Sequence, residues 1–130
     1  MMAVDASAIL AVLLKEPDAR VFEDKLLSVG RGVMFPVNHW EVLVRSWSVF
    51  GAAGPDAADR MLERFGVDVV PMTAEDSRVA ARAFERFGKR AGGRLNLADC
   101  FAYALAAKEG EGLLYKGDDF PKTDVVSALD

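Results

Sequence analysis

The chain has 130 residues, 52% of them hydrophobic and 28% charged, with a net charge of −4. That balance fits one folded domain over residues 1–130 with a sizeable core. It excludes a disordered chain and a basic coat for nonspecific nucleic-acid binding. The single cysteine, Cys100, excludes an internal disulfide and fits a reducing cytoplasm. With only one histidine, His39, an ordinary zinc site lacks ligands, so any metal would be oxygen-ligated Mg²⁺ or Mn²⁺.

Met2-Ala3-Val4 reads as a short buried strand, with Asp5 at its carboxyl end. The apolar run from Met1 to Leu14 is too short to cross a bilayer and lacks a basic leader, so neither an anchor nor a signal peptide is expected. Ser7 is expected to cap a helix over Ala8–Leu14, because its hydroxyl can accept from a first-turn N–H. A turn at Lys15–Asp18 leads to a second helix, Ala19–Ser28, with Val21, Phe22, Leu26 and Val29 on its apolar face. Gly30-Arg31-Gly32 breaks it. Val33-Met34-Phe35 is strand two, stopped by Pro36.

Asn38 is expected to cap the next helix, which runs to Phe50. Gly51–Gly54 reads as a linker, and Pro55 as the first residue of a helix to Phe65. Strand three is Val67–Val70. Thr73 caps a helix from Ala74 to Phe87, and Gly88–Arg94 is a basic, flexible loop. From Leu97 to Ala107 every side chain is apolar or aromatic except Asp99. A helix apolar all round should be buried. The strand Leu113-Leu114-Tyr115 then opens onto Asp118-Asp119, and Asp124–Val126 is expected as a short terminal strand. Strands alternating with helices imply an α/β sandwich with a mainly parallel central sheet.

Asp5, Glu41, Asp99 and the Asp118-Asp119 pair each follow or interrupt an apolar run that should be buried. Buried acids are rare unless paired or metal-bound. In open α/β sheets ligands lie beyond the carboxyl ends of the strands, where Asp5 and Asp119 fall and where the first turn of the Asp99 helix can face. Two carboxylates about 4 Å apart repel by roughly 4 kcal/mol at an effective dielectric near 20, so a converged set needs a cation or raised pKa values. Each acid also has an ordinary reading. Asp99 can serve the helix dipole, Glu41 can pair with Arg45, and Asp118-Asp119 can be turn residues. His39 lacks a triad partner, Cys100 reads as core, and Trp40, Trp47, Phe101 and Tyr103 read as core or interface.

The ordered set of motifs resembles the VapC-type PIN-domain toxins. It comprises a strand ending in Asp-Ala-Ser-Ala at Asp5, a mid-chain helical Glu41, Leu-Asn-Leu-Ala-Asp-Cys-Phe-Ala-Tyr-Ala-Leu-Ala around Asp99, and Leu-Leu-Tyr-Lys-Gly-Asp-Asp-Phe. The resemblance implies a three-layer α/β/α sandwich over residues 1–130. It also implies a Mg²⁺- or Mn²⁺-dependent endoribonuclease toxin acting on tRNA, rRNA or mRNA, cytoplasmic and held inactive by a VapB-type antitoxin. A homodimer is expected, and no membrane association. The family's acidic quartet carries over onto Asp5, Glu41, Asp99 and Asp119, with Asp118 as substitute for the last. Asp5 and Asp99 hold the principal ion, and Ser7 is a supporting hydrogen-bonding residue. Lys89, Arg90, Arg94, Arg45 and Lys116 are candidates for gripping RNA, and Phe22, Leu26 and Trp47 for docking the antitoxin. The alternatives are a non-catalytic binding module and an Asp-based phosphatase with Asp5 as nucleophile. The phosphatase requires a second acid two residues on, where this chain has Ser7.

Overall fold

The computed structural model describes all residues from Met1 to Asp130. In chain order the elements are β1 (Ala3–Val4), α1 (Ala6–Leu13), α2 (Ala19–Val29), β2 (Gly32–Met34), α3 (Pro36–Phe50), α4 (Ala53–Phe65), β3 (Val67–Val69), α5 (Ala74–Phe87), a 3₁₀ turn (Lys89–Ala91), α6 (Leu97–Glu109) and β4 (Leu113–Leu114). The four strands form one sheet in the order β3-β2-β1-β4, with every pairing parallel. The chain therefore builds outward from β1 on one side and returns to its other side with β4. That reversal between β1 and β4 is where an open parallel sheet presents a ligand crevice.

Strand alternation divides the core in two. Met2, Val4, Met34 and Leu114 pack with α1, α2 and α4 through Ile9, Phe22, Leu26, Leu62 and Phe65. Ala3, Val33 and Leu113 point the other way, onto α5 and α6 through Ala80, Ala83, Cys100 and Leu105. Successive strand side chains point to opposite faces, so the short strands supply both cores. The result is the three-layer α/β/α sandwich expected from the sequence. As anticipated, α6 is buried along most of its length, although Leu97 is 65% exposed.

Several boundaries differ, each for a local reason. Asp5, not Ser7, caps α1: its carboxylate accepts from the Ser7 N–H, and the helix starts at Ala6. Pro36 does not merely stop β2 but begins α3, where a missing N–H costs nothing. Asn38 is consequently inside that helix and buried rather than capping it. The expected Gly51–Gly54 linker is shorter, because α4 begins at Ala53. A Cβ on Gly54 would fall 2.2 Å from the Ser46 carbonyl oxygen, so glycine lets α4 close against α3. Residues Asp124–Val126 form no strand. The C-terminal tail is joined by a single parallel bridge, Leu113 to Ser127, with Leu113 N–H bonded to the Val126 carbonyl.

Candidate active site

Asp5 is fixed by both its neighbours. Its N–H donates to the Leu114 carbonyl at 2.9 Å, which holds the end of β1 beside β4. Its Oδ2 accepts from the Ser7 N–H at 3.1 Å and from the Ser7 hydroxyl at 2.5 Å. The same Ser7 oxygen accepts the Lys116 N–H at 2.9 Å, so one hydroxyl ties the residue after β1 to the chain leaving β4. Asp5 Oδ1 is buried and has no hydrogen-bond partner. Burial pushes this carboxyl above its usual range, the Ser7 bonds oppose that, and the Asp119 charge adds to it.

Asp99 occupies the third position of α6 in a complete capping box. Its Oδ2 accepts the Asn96 N–H at 3.1 Å, while Asn96 Oδ1 accepts the Asp99 N–H at 2.9 Å. The ordinary role of a first-turn acid is therefore filled. Yet Asp99 is 7% exposed, and its pKa rises to about 7 through burial first, then the charges of Asp5, Asp119 and Glu41. Glu41, half-buried on the second turn of α3, also rises to about 7, through burial and the charge of Asp5, with the Asn38 amide opposing. Arg45, one turn on, is exposed and is not among the groups acting on Glu41. Of the two acids after β4, Asp118 is exposed, while half-buried Asp119 presses on both Asp5 and Asp99.

Four acids from four separate stretches thus feel one another's charge at the carboxyl edge of the sheet. They do not close into a ligating set of three or more. The donors fit an oxygen-ligated divalent cation: all are carboxylates, and the best-buried one leaves an oxygen without a partner. Asp5 and Asp99 are the two most firmly positioned.

Of the other expectations, some are revised and some stand. Lys116 Nζ lies 3.0 Å from Glu16 and 2.8 Å from Asp18, so its charge is spent on the α1–α2 turn rather than free for RNA. Phe22 and Leu26, offered as docking contacts, are 4% and 1% exposed core residues, while Trp47 stands 60% exposed. Trp40 is likewise no core residue at 62%. His39 pairs with Asp59 across α3 and α4, with Nε2 2.8 Å from Oδ1. Cys100 is buried, and burial pushes its thiol up to about 11, which fits core and not nucleophile. Sequence reasoning missed the role of Asn38. Its Nδ2 donates at 3.1 Å to the carbonyl of Ala98, the residue before Asp99, and joins the Glu41 helix to the Asp99 helix. Only the pairing of two distant segments reveals that contact.

A cluster of carboxylates at the β1–β4 reversal of a parallel sheet marks an α/β/α protein with its acidic residues gathered beyond the strand ends. The family model described as PIN domain matches residues 2–126. The chain is 38% identical over 129 residues to a Ribonuclease VapC of Mycolicibacterium smegmatis, covering 97% of this chain and 98% of that one. It is 37% identical over 129 residues to Ribonuclease VapC30 of Mycobacterium tuberculosis, covering 97% of each. Its fold superposes on the crystal structure of Mycobacterium tuberculosis VapC20, described as a sarcin-ricin loop cleaving toxin. That match has a TM-score of 0.78 at 17% identity and covers 97% of both chains. This chain belongs to the PIN-domain family, in its VapC branch.

Proposed function

We propose that this protein is a VapC-type endoribonuclease toxin that hydrolyses RNA phosphodiester bonds with Mg²⁺ or Mn²⁺ held by Asp5, Asp99, Glu41 and Asp119. The observation that carries this reading is the shared electrostatics of the pocket. Burial and mutual repulsion hold Glu41 and Asp99 at about 7, beside an Asp5 oxygen with no partner. A bound divalent ion supplies a Lewis acid that lowers the pKa of water and offsets charge on the phosphate. The protein's part is positioning. Ser7 holds Asp5 through Oδ2 and leaves Oδ1 directed elsewhere, and the Asn96 N–H fixes one oxygen of Asp99. Glu41 and Asp119, each only half-buried, complete the set.

The phosphatase alternative lacks support here, because Ser7 occupies the place of the second acid and is engaged with Asp5. The substrate is RNA of the tRNA, rRNA or mRNA kind. The partners belong to the same proposal: a VapB-type antitoxin, for which exposed Trp40, Val44 and Trp47 on one face of α3 offer apolar contact, and a second copy of the chain. No helix is long and apolar enough to cross a membrane. The test is cleavage of RNA by the purified, antitoxin-free chain with Mn²⁺, with chelator, and with Mn²⁺ restored. Cleavage that chelator leaves unchanged overturns the metal assignment. No cleavage of any RNA class by the folded, metal-loaded chain overturns the nuclease reading.

A further inference from the structure

The Gly88–Arg94 segment, expected as a flexible basic loop, is a built turn. The 3₁₀ turn over Lys89–Ala91 is followed by a left-handed Gly92, and a parallel bridge joins Gly88 to Leu95. Phe87 anchors the fold-back, since its carbonyl accepts the Leu95 N–H at 3.1 Å and a Cβ on Gly93 would fall 2.0 Å from that same oxygen. This turn makes one wall of a concavity of about 220 Å³ whose lining includes Arg86, Arg94, Asp119, Lys122 and Thr123. Three cations therefore line a cleft that has the fourth acid of the site on its edge.

The cations differ in how free they are. Arg86 stacks over the Phe87 ring at 4.6 Å and pairs with Asp124 at 3.5 Å, and Asp124 in turn accepts the Tyr103 hydroxyl at 2.5 Å. Its guanidinium is thereby held at the cleft wall. Arg94 and Lys122 are exposed, and neither is bound to an acid. Two unpaired cations and one pre-positioned guanidinium around a small concavity form a receptor for a phosphate group. Guanidinium presents planar donors matched to phosphate oxygens, and an ammonium adds a point charge. Arg90 instead lines a second depression with Phe84, Glu85 and Ala91.

We infer that the Arg86–Arg94–Lys122 cleft holds a backbone phosphate of the RNA strand, adjacent to the phosphate cleaved at the acidic pocket. This rests on the ribonuclease reading for the identity of the strand, and Asp119 is the shared edge that sets its register. Arg94 and Lys122 are binding residues that touch no reacting atom. Their loss should raise KM and leave kcat near the parental value.

The experiment measures binding of a fluorescently labelled single-stranded RNA oligonucleotide by anisotropy, in chelator so that no cleavage occurs, over a range of salt concentrations. The proteins are the parent, Arg94→Gln/Lys122→Gln, the charge-keeping Arg94→Lys/Lys122→Arg, and Arg60→Gln, an exposed arginine of α4 outside the cleft lining. The expected result is affinity weaker by about tenfold or more in the double glutamine variant, with the salt slope reduced by about 0.7 because one phosphate is no longer neutralised. Binding is expected to return in the charge-keeping variant and to be unchanged in Arg60→Gln. Parental binding by the double glutamine variant, or an equal weakening in Arg60→Gln, overturns the cleft. A parent that binds through the cleft yet never cleaves with Mn²⁺ refutes the nuclease reading and leaves the cleft standing.

Discussion

Replacing Asp99 with Asn should stabilise the metal-free protein and do so only above acidic pH. The carboxyl has a folded pKa of about 7 against 3.8 ordinarily. At about 1.4 kcal/mol per pKa unit, that difference costs roughly 4 kcal/mol of folding once both states are ionised. Glu41 and Asp119, whose charges contribute to the shift, are only half-buried, so solvent screens part of this and about 2 kcal/mol is expected. For a folded pKa raised above the unfolded one, stability is fully present below about pH 4 and is lost as pH rises through 7. The amide keeps an oxygen to accept the Asn96 N–H, so the capping box survives. Melting in chelator should therefore show a gain near zero at pH 4, growing to a plateau above pH 7. About 2 kcal/mol corresponds to roughly 8 °C in a domain of this size. The same variant should not cleave RNA. A gain independent of pH, or a melting temperature lowered at pH 8, would refute the idea that Asp99 is held against its neighbours' charge.

Glu41→Gln should melt at an equal or higher temperature without metal and gain less than the parent when Mn²⁺ is added. The parent should gain about 2.7 kcal/mol at a hundredfold excess over the dissociation constant. Ser7→Ala removes the donor to Asp5 and the acceptor for the Lys116 N–H, and should cost about 1–3 kcal/mol by denaturant unfolding. It should also weaken Mn²⁺ binding, whereas reduced stability with unchanged metal affinity would mean that Ser7 only staples β1 to β4. Expressed alone the chain should arrest growth, and co-expressed with an inhibitor encoded beside it growth should recover. Unimpaired growth in the first case would contradict a toxin.

What the sequence made legible follows from the range of each signal. The parallel α/β order was readable because β1, β2 and β4 are short apolar runs and β3 is broken only by Asp68, and the buried α6 because one acid stands in eleven residues from Leu97 to Ala107. The four acids were found as exceptions to those runs, a local property. Which of Asp118 and Asp119 turns inward is a matter of the path after β4, and only the family motif favoured Asp119. Helix starts failed where two residues compete for one role. Both Asp5 and Ser7 can cap; the Asp5 carboxylate accepts the Ser7 N–H, so the helix starts at Ala6, and the Ser7 hydroxyl instead accepts the Lys116 N–H from the chain leaving β4. Phe22 and Leu26 looked like an open apolar face because a helix pattern does not say which stripe the sheet covers. Asn38, Lys116 and the Arg94–Lys122 cleft owe their roles to partners 60 or more residues away or to a turn folding back, and no local pattern carries that.

Asp5, Glu41, Asp99 and Asp119 should together hold one divalent cation. Calorimetric titration of Mn²⁺ into the chelator-stripped chain tests this most directly, compared with Asp5→Asn and run at pH 7 and pH 8.5. The parent should bind one ion, releasing protons at pH 7 because Glu41 and Asp99 are then partly protonated, and fewer at pH 8.5. Asp5→Asn should show no saturable binding in the same range. Parental Mn²⁺ affinity in Asp5→Asn, or proton release that does not change between the two pH values, would contradict it.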